Sequence, residues 1–223
     1  MGKRKVSNPL ALAVLTLLAE KPMHPYEMSG TLRERAKEQS IKLNYGSLYS
    51  VVESLVRHRL IEVLEVVREG KRPERTIYAI TDAGRIEFVD WLTELLAMPV
   101  KEYLQFEAAL SLMPTLAPAE VVRLLETRLV RLDTEIAATD GVLAKLTAEG
   151  MSSLWLVEVD YMQVMRRAER DFVGGLIEKI KKEDVPDIMV WRRAHEEAAG
   201  DVPNELDWQK AAAEQPDFTW PSP

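Results

Sequence analysis

The sequence contains no cysteine. Disulfides, thiolate metal sites and cysteine nucleophiles are excluded, and a reducing compartment is the natural setting. Histidine is scarce: His24, His58 and His195 fall in different expected elements and share no ligand spacing, so no metal site is expected. Long hydrophobic runs are also missing. No window of eighteen apolar residues occurs, and no membrane-spanning helix is expected. The apolar stretch Leu10–Ala19 follows a basic segment, Met1–Pro9, and so has the outline of a short secretion signal. Glu20-Lys21-Pro22 follows instead of a small-residue cleavage site, which makes the stretch a buried helix face. Neither a Gly-x-Ser-x-Gly elbow nor a glycine-rich phosphate loop is present. The expectation is a cytoplasmic protein that is not an enzyme and carries no cofactor.

What is present is a chain of 223 residues, 47% apolar, with a net charge of -7. That length supports one or two domains with a sizeable core. The charge is unevenly spread. Residues 1–90 hold 15 Lys or Arg against 12 Asp or Glu, whereas residues 91–223 hold 14 against 24. A mildly basic front and an acidic back fit a nucleic-acid module joined to a domain that avoids nucleic acid.

Periodicity divides the chain further. Asn8 and Pro9 open a helix over 8–19, and Pro22-Met23-His24-Pro25 breaks it. A second helix is expected over 26–37. A third, capped by Asn44, runs to about His58 with Leu48, Val51, Val52, Leu55 and Val56 as its apolar stripe. The period then changes. Residues 60–67 and 75–80 read as two strands joined by a charged turn, Arg68-Glu69-Gly70-Lys71-Arg72-Pro73-Glu74. Thr81 or Asp82 caps a further helix that reaches Leu96. Met98-Pro99 marks a junction, and a helix is expected over 101–113. Two long helices follow, over about 119–147 and 153–182, each with apolar residues at spacings of three and four. The fold class is mainly α: a winged helix-turn-helix over 1–97, then a helical dimerisation and effector domain over 98–183. An acidic tail with Pro and Trp occupies 184–223; a short helix fits 187–199, and the rest reads as extended or disordered.

Three short helices followed by a ribbon with a basic tip suit double-stranded DNA. A helix of this length fits the major groove, where base edges are distinguishable. Lys42, Asn44, Tyr45, Ser47, Tyr49 and Ser50 cluster at the start of the third helix and can hydrogen-bond to phosphates or bases, while Gly46 permits close approach. The ribbon adds Arg68, Lys71, Arg72 and Arg75, suited to phosphates or the minor groove. The helical hairpin after residue 118 would leave an apolar seam uncovered, and a second copy covers it symmetrically. The seam residues are Leu125, Leu129, Leu132 and Ile136 on one helix, and Tyr161, Met165, Phe172 and Leu176 on the other. Trp91, Tyr103, Phe106, Trp155 and Tyr161 could wall a site for a small aromatic effector, with Arg166 as a carboxylate partner. Core packing is the more ordinary reading of the same aromatics, which at helical spacing usually just fill volume. A competing reading, drawn from the acidity, is a winged helix serving as a protein-interaction adaptor without specific DNA binding.

The segments Asn44-Tyr45-Gly46-Ser47-Leu48-Tyr49, Leu55-Val56-Arg57-His58-Arg59-Leu60-Ile61 and Gly70–Arg85, together with Pro25-Tyr26-Glu27-Met28, resemble the PadR family of transcriptional regulators. The resemblance is specific over about 8–90, architectural over 91–182, and does not reach the tail. It implies a homodimer that binds an inverted repeat and represses a neighbouring promoter, nucleoid-associated while bound. It also implies Tyr49 in the recognition helix and residues 68–75 in a DNA-touching wing. Some members of the family respond to phenolic acids and others to hydrophobic drugs or cyclic dinucleotides, and the hairpin after residue 118 resembles the subfamily with the longer C-terminal helical domain.

Overall fold

The computed structural model describes residues 6–68 and 74–196. The chain divides into two compact units, residues 1–102 and 103–223.

The first unit is built around α1 (Pro9–Glu20). Asn8 caps it, its Oδ1 accepting the Leu10 amide at 2.9 Å, and Pro9 sits at the first helical position, where its missing N–H is no loss. Leu10, Ala11, Val14, Leu15, Leu17 and Leu18 are all buried, so the apolar run is apolar nearly all round because neighbours cover it nearly all round. Each buried leucine contributes about 1.5–3 kcal/mol. Around α1 pack α2 (Pro25–Glu34), α3 (Tyr45–Arg57), the antiparallel pair β1 (Ile61–Val67) and β2 (Arg75–Ile80), and α4 (Asp82–Ala97).

The hairpin register pairs Ile61 with Ile80, Val63 with Tyr78 and Val67 with Arg75, with a bulge between Val63 and Glu65. Only its base is buried, at Ile61 and Ile80; Val63, Leu64 and Val66 are exposed, so the ribbon projects from the core. Met23 exchanges two backbone hydrogen bonds with Tyr78, both 3.1 Å, and ties the α1–α2 turn to β2.

In the second unit α6 (Pro118–Ala148) and α7 (Val157–Lys181) form a long hairpin, preceded by α5 (Gln105–Leu112) and followed by α8 (Ile188–Glu196). Val121, Leu125 and Leu132 pack with Val173, Ile177, Ile180, Ile188 and Trp191. Across the hairpin Arg167 pairs with Asp140 (2.6 Å), Arg170 with Asp133 (2.9 Å) and Lys181 with Glu126 (2.7 Å). These exposed pairs fix register more than they add stability.

The structure corrects the expected elements at three places. The second helix stops at Glu34, because Ala36 adopts a left-handed conformation (φ 53°) and Arg35 pairs back to Glu20 of α1 at 2.6 and 2.8 Å. The helix expected from Lys101 begins at Gln105, with no side-chain cap on Leu104 to announce it. The short helix expected over 187–199 is α8, and it is packed rather than part of a free tail: Ile188, Val190, Trp191 and Ala194 are buried, and Trp191 Nε1 donates to the Leu116 carbonyl at 2.8 Å. Residues 197–223 lie outside the described residues.

Candidate nucleic-acid interface

The sequence around α3 dictates how it is presented. Asn44 stands in extended conformation ahead of it, and its Oδ1 accepts the Ser47 amide at 2.7 Å. Leu48, Val51, Val52 and Leu55 face the core of the first unit. The helical period therefore turns Gly46, Tyr49, Ser50, Glu53 and Arg57 outward, and all five are exposed. Lys42 is exposed ahead of the helix, and Ser47 is half-buried at its first turn. Tyr45 is the first residue of α3; its side chain lies outside the described set.

Beside this turn lies a concave surface of about 610 Å³ lined by residues 6–8 together with Asn44, Gly46, Ser47, Ser50, Val51 and Ser54. Its polar groups are hydroxyls and amides, and no carboxylate lines it. Sequence reasoning missed Ser7 and Ser54 here. Only the basic character of the segment before α1 pointed towards them.

On the ribbon, Arg68 and Arg75 are exposed, and Arg68 lies 3.7 Å from Glu74. Lys71 and Arg72 lie outside the described residues. Burial, with Glu53 and Tyr49 near by, pushes the Tyr78 phenol above its ordinary pKa, which marks how close the outer face of α3 comes to β2. The base of the ribbon is held by Thr81, whose hydroxyl donates to the Arg59 carbonyl (2.8 Å) and accepts the Gly84 amide (3.0 Å).

The residues expected to form an effector wall are divided between the two units. Trp91 is buried in the core of the first unit, whereas the other five belong to the second. There Tyr103, Trp155 and Tyr161 are exposed, Phe106 lies under the Arg128 guanidinium at 3.6 Å, and Arg166 pairs with Glu135 at 3.4 Å. A separate cavity of about 530 Å³ is lined by Pro118, Val122, Ile180, Lys181, Arg192 and His195, among others, and includes none of the six.

The expected dimer seam also needs correction. Leu125, Leu132 and Ile136 are buried within this one chain, and Leu129 and Leu176 are half-buried against the same core, because α7 and α8 cover the apolar face of α6. Tyr161, Met165 and Phe172 are exposed, to one side of the buried stripe of Val173, Ile177 and Ile180 on α7. Val157 and Val164 share that outer side.

Among the described residues no group of three or more His, Asp or Glu is placed to hold a metal. No described helix is long and apolar enough to cross a membrane.

Three helices, a projecting ribbon and an outward-facing third helix define a winged helix-turn-helix, here joined in one chain to a helical unit. Residues 14–90 match the model of the transcriptional regulator PadR-like family. The fold is shared with solved structures over more than three quarters of the chain. Bacillus subtilis PadR in complex with operator DNA aligns with a TM-score of 0.60 at 20% identity, over 78% of this chain and 99% of that one. Bacillus subtilis PadR in complex with p-coumaric acid gives 0.61 at 20% identity, over 77% and 98%. The Vibrio cholerae virulence activator AphA gives 0.57 at 14% identity, over 78% and 99%. No curated protein matches the chain by sequence.

Proposed function

We propose that this protein is a sequence-specific, double-stranded-DNA-binding transcriptional regulator that acts as a homodimer on an inverted repeat and represses the promoter it occupies. One observation carries the reading: α3 buries Leu48, Val52 and Leu55 and turns Tyr49 and Ser50 outward, behind an N-terminus capped by Asn44. A helix so mounted can enter a major groove while its scaffold stays rigid. Lys42, Asn44, Tyr45, Ser47, Tyr49 and Ser50 are assigned to the groove, and Arg68, Lys71, Arg72 and Arg75 to flanking phosphates or the minor groove. The operator complex of Bacillus subtilis PadR, which shares the fold, supports the assignment.

The exposed outer face of α7 supports the dimer. Val157, Tyr161, Val164, Met165 and Phe172 make an apolar stripe that covers nothing within the chain's own hairpin, and a two-fold axis lets two such stripes cover each other. The p-coumaric acid complex of Bacillus subtilis PadR supports release by a small aromatic effector. Such an effector acts only by preferring one spacing of the two recognition helices over another. The testing experiment is binding of purified protein to its own upstream promoter fragment against a scrambled duplex. Selective binding supports the regulator; equal binding to both overturns specificity and leaves the adaptor reading.

A further inference from the structure

We propose that Ser7 and Ser54 belong to the DNA interface, holding the phosphate backbone that runs along the flank of α3 away from the ribbon. The inference rests on the DNA reading above and adds a contact that neither the recognition residues nor the wing supplies.

Helical period gives α3 two flanks between its buried face and its outermost one. Leu48, Val52 and Leu55 are buried. One flank carries Tyr49, which with Glu53 lies near enough to Tyr78 of β2 to raise the pKa of its phenol. The other flank carries Ser47, Ser50 and Ser54, spaced three and four apart and so in one row. The chain entering α1 lies along this row: residues 6–8 line one hollow of about 610 Å³ with Asn44, Gly46, Ser47, Ser50 and Ser54. Val6 is buried, while Asn8 Oδ1 accepts the Leu10 amide at 2.9 Å and its carbonyl the Ala11 amide at 2.8 Å. Ser7 is therefore held between two fixed residues. From Asn44 to Ser54 the hollow follows about 15 Å of helix.

The hydroxyls name the partner. On other exposed helix faces they turn back on their own helix: Thr16 donates to the Leu12 carbonyl (2.9 Å), Thr127 to that of Arg123 (3.0 Å) and Thr134 to that of Val130 (2.8 Å). The hydroxyls of Ser7, Ser50 and Ser54 have no hydrogen-bond partner among the described residues and are left to donate outward. No carboxylate lines the hollow; Glu53, the acidic residue of α3, is not part of it. A row of such donors without a competing anion suits a negatively charged chain of acceptors. A helix with its side chains is about 10–12 Å across and the major groove about 12 Å wide, so a helix seated there has a phosphate backbone along each flank. The ribbon stands on the Tyr49 side, which leaves the serine row for the other backbone. Contacts of this kind set register and affinity without reading sequence.

The test compares the parent with Ser54→Ala, with the double variant Ser7→Ala, Ser54→Ala, and with Ser54→Thr, on the promoter fragment and a scrambled duplex across a salt series. Alanine is the better helix former, so thermal melts should place the alanine variants at or above the parent. Losing one hydroxyl-to-phosphate hydrogen bond should weaken binding by about three- to tenfold, and losing both by about ten- to hundredfold, on both duplexes alike. The slope of log affinity against log salt should stay at the parent's value, because no cation is lost. Ser54→Thr keeps the hydroxyl and should bind as the parent does. Alanine variants with the parent's affinity overturn this inference and leave the regulator reading standing. So does a Ser54→Ala loss confined to the promoter, which puts the hydroxyl on a base edge, or a Ser54→Thr loss equal to that of alanine, which makes packing the cause. A parent that binds neither duplex at low salt overturns the DNA reading, and this inference with it.

Discussion

The carbonyl oxygen of Leu60 occupies the space in which Gly84 would carry a side chain: a β-carbon built there lies 2.0 Å from that oxygen and 2.8 Å from Ile80 Cγ1. Gly84 is buried in the first turn of α4, and its amide is the one Thr81 accepts. This contact seats α4 against the base of the ribbon. Gly84→Ala must push the two apart, at a cost of about 1–3 kcal/mol. Urea unfolding of the variant should show the loss as a lower midpoint; an unchanged midpoint contradicts the packing described.

His24 gives the first unit a pH dependence. Its Nδ1 accepts the Tyr26 amide at 3.0 Å as the cap of α2, so only the ring unprotonated at Nδ1 can cap. Burial first, and then the nearby Arg75, hold its pKa below the usual 6.5 against the opposite pull of Glu27. The unfolded chain therefore takes up the proton more readily. The stabilising contribution is complete above about pH 6.5 and is lost as pH falls through the lowered folded value. His24→Asn keeps an acceptor and cannot titrate. Thermal melts from pH 7.5 to 5.5 should fall more steeply for the parent than for this variant; parallel curves contradict the assignment.

Asn44 caps α3, and substitution can separate that role from the DNA contact proposed for it. Asn44→Ala removes the cap and should cost about 1 kcal/mol of stability as well as operator affinity. Asn44→Asp keeps the cap but sets a negative charge against phosphate. Its melting temperature should stay near the parent's while operator binding weakens by about 1–3 kcal/mol, about five- to 150-fold. Full operator affinity in the aspartate variant removes Asn44 from the interface.

The two faces of α7 should respond differently. Phe172→Lys or Tyr161→Lys alters a side chain exposed within the chain, so helix content should persist while light scattering reports a monomer. Ile177→Ala instead opens a cavity in the hairpin core and should destabilise by about 2–5 kcal/mol. A Phe172→Lys protein that remains a dimer of parental stability contradicts the proposed seam.

Much of this fold could be read before the structure was seen, and the exceptions are instructive. α1, α3, both strands and the long hairpin announce themselves by period and by caps, with Asn8, Asn44 and Thr81 where the chain needs an acceptor. The end of α2 does not, because nothing local at Ala36 demands a left-handed turn; the Arg35–Glu20 pair that accompanies it is a tertiary contact. α8 was expected as a short helix, but its packing was not, because Ile188 and Trp191 gain meaning only against the core of α6 and α7. Half of the residues expected in a dimer seam fill the chain's own core for a related reason. Helical spacing reveals that α6 and α7 each have an apolar stripe, but not that α7 has two, one for its own hairpin and one facing out. Trp91 shows the same limit: an aromatic at helical spacing looks alike whether it fills a core or walls a ligand site. At the interface, the outward residues of α3 followed directly from its buried ones, whereas Ser7 and Ser54 joined them only through the path of the chain.

The central claim is that the outer face of α3 reads a DNA sequence. Its most direct test is a salt-titrated binding measurement of parent and Tyr49→Ala proteins on the upstream promoter fragment and a scrambled duplex. The account predicts that the parent prefers the promoter by at least about 10³-fold at physiological salt. Tyr49→Ala should shrink that preference while leaving binding to the scrambled duplex, and its salt slope, as they were. A parent that binds both duplexes equally, or a Tyr49→Ala protein that keeps the full preference, contradicts it.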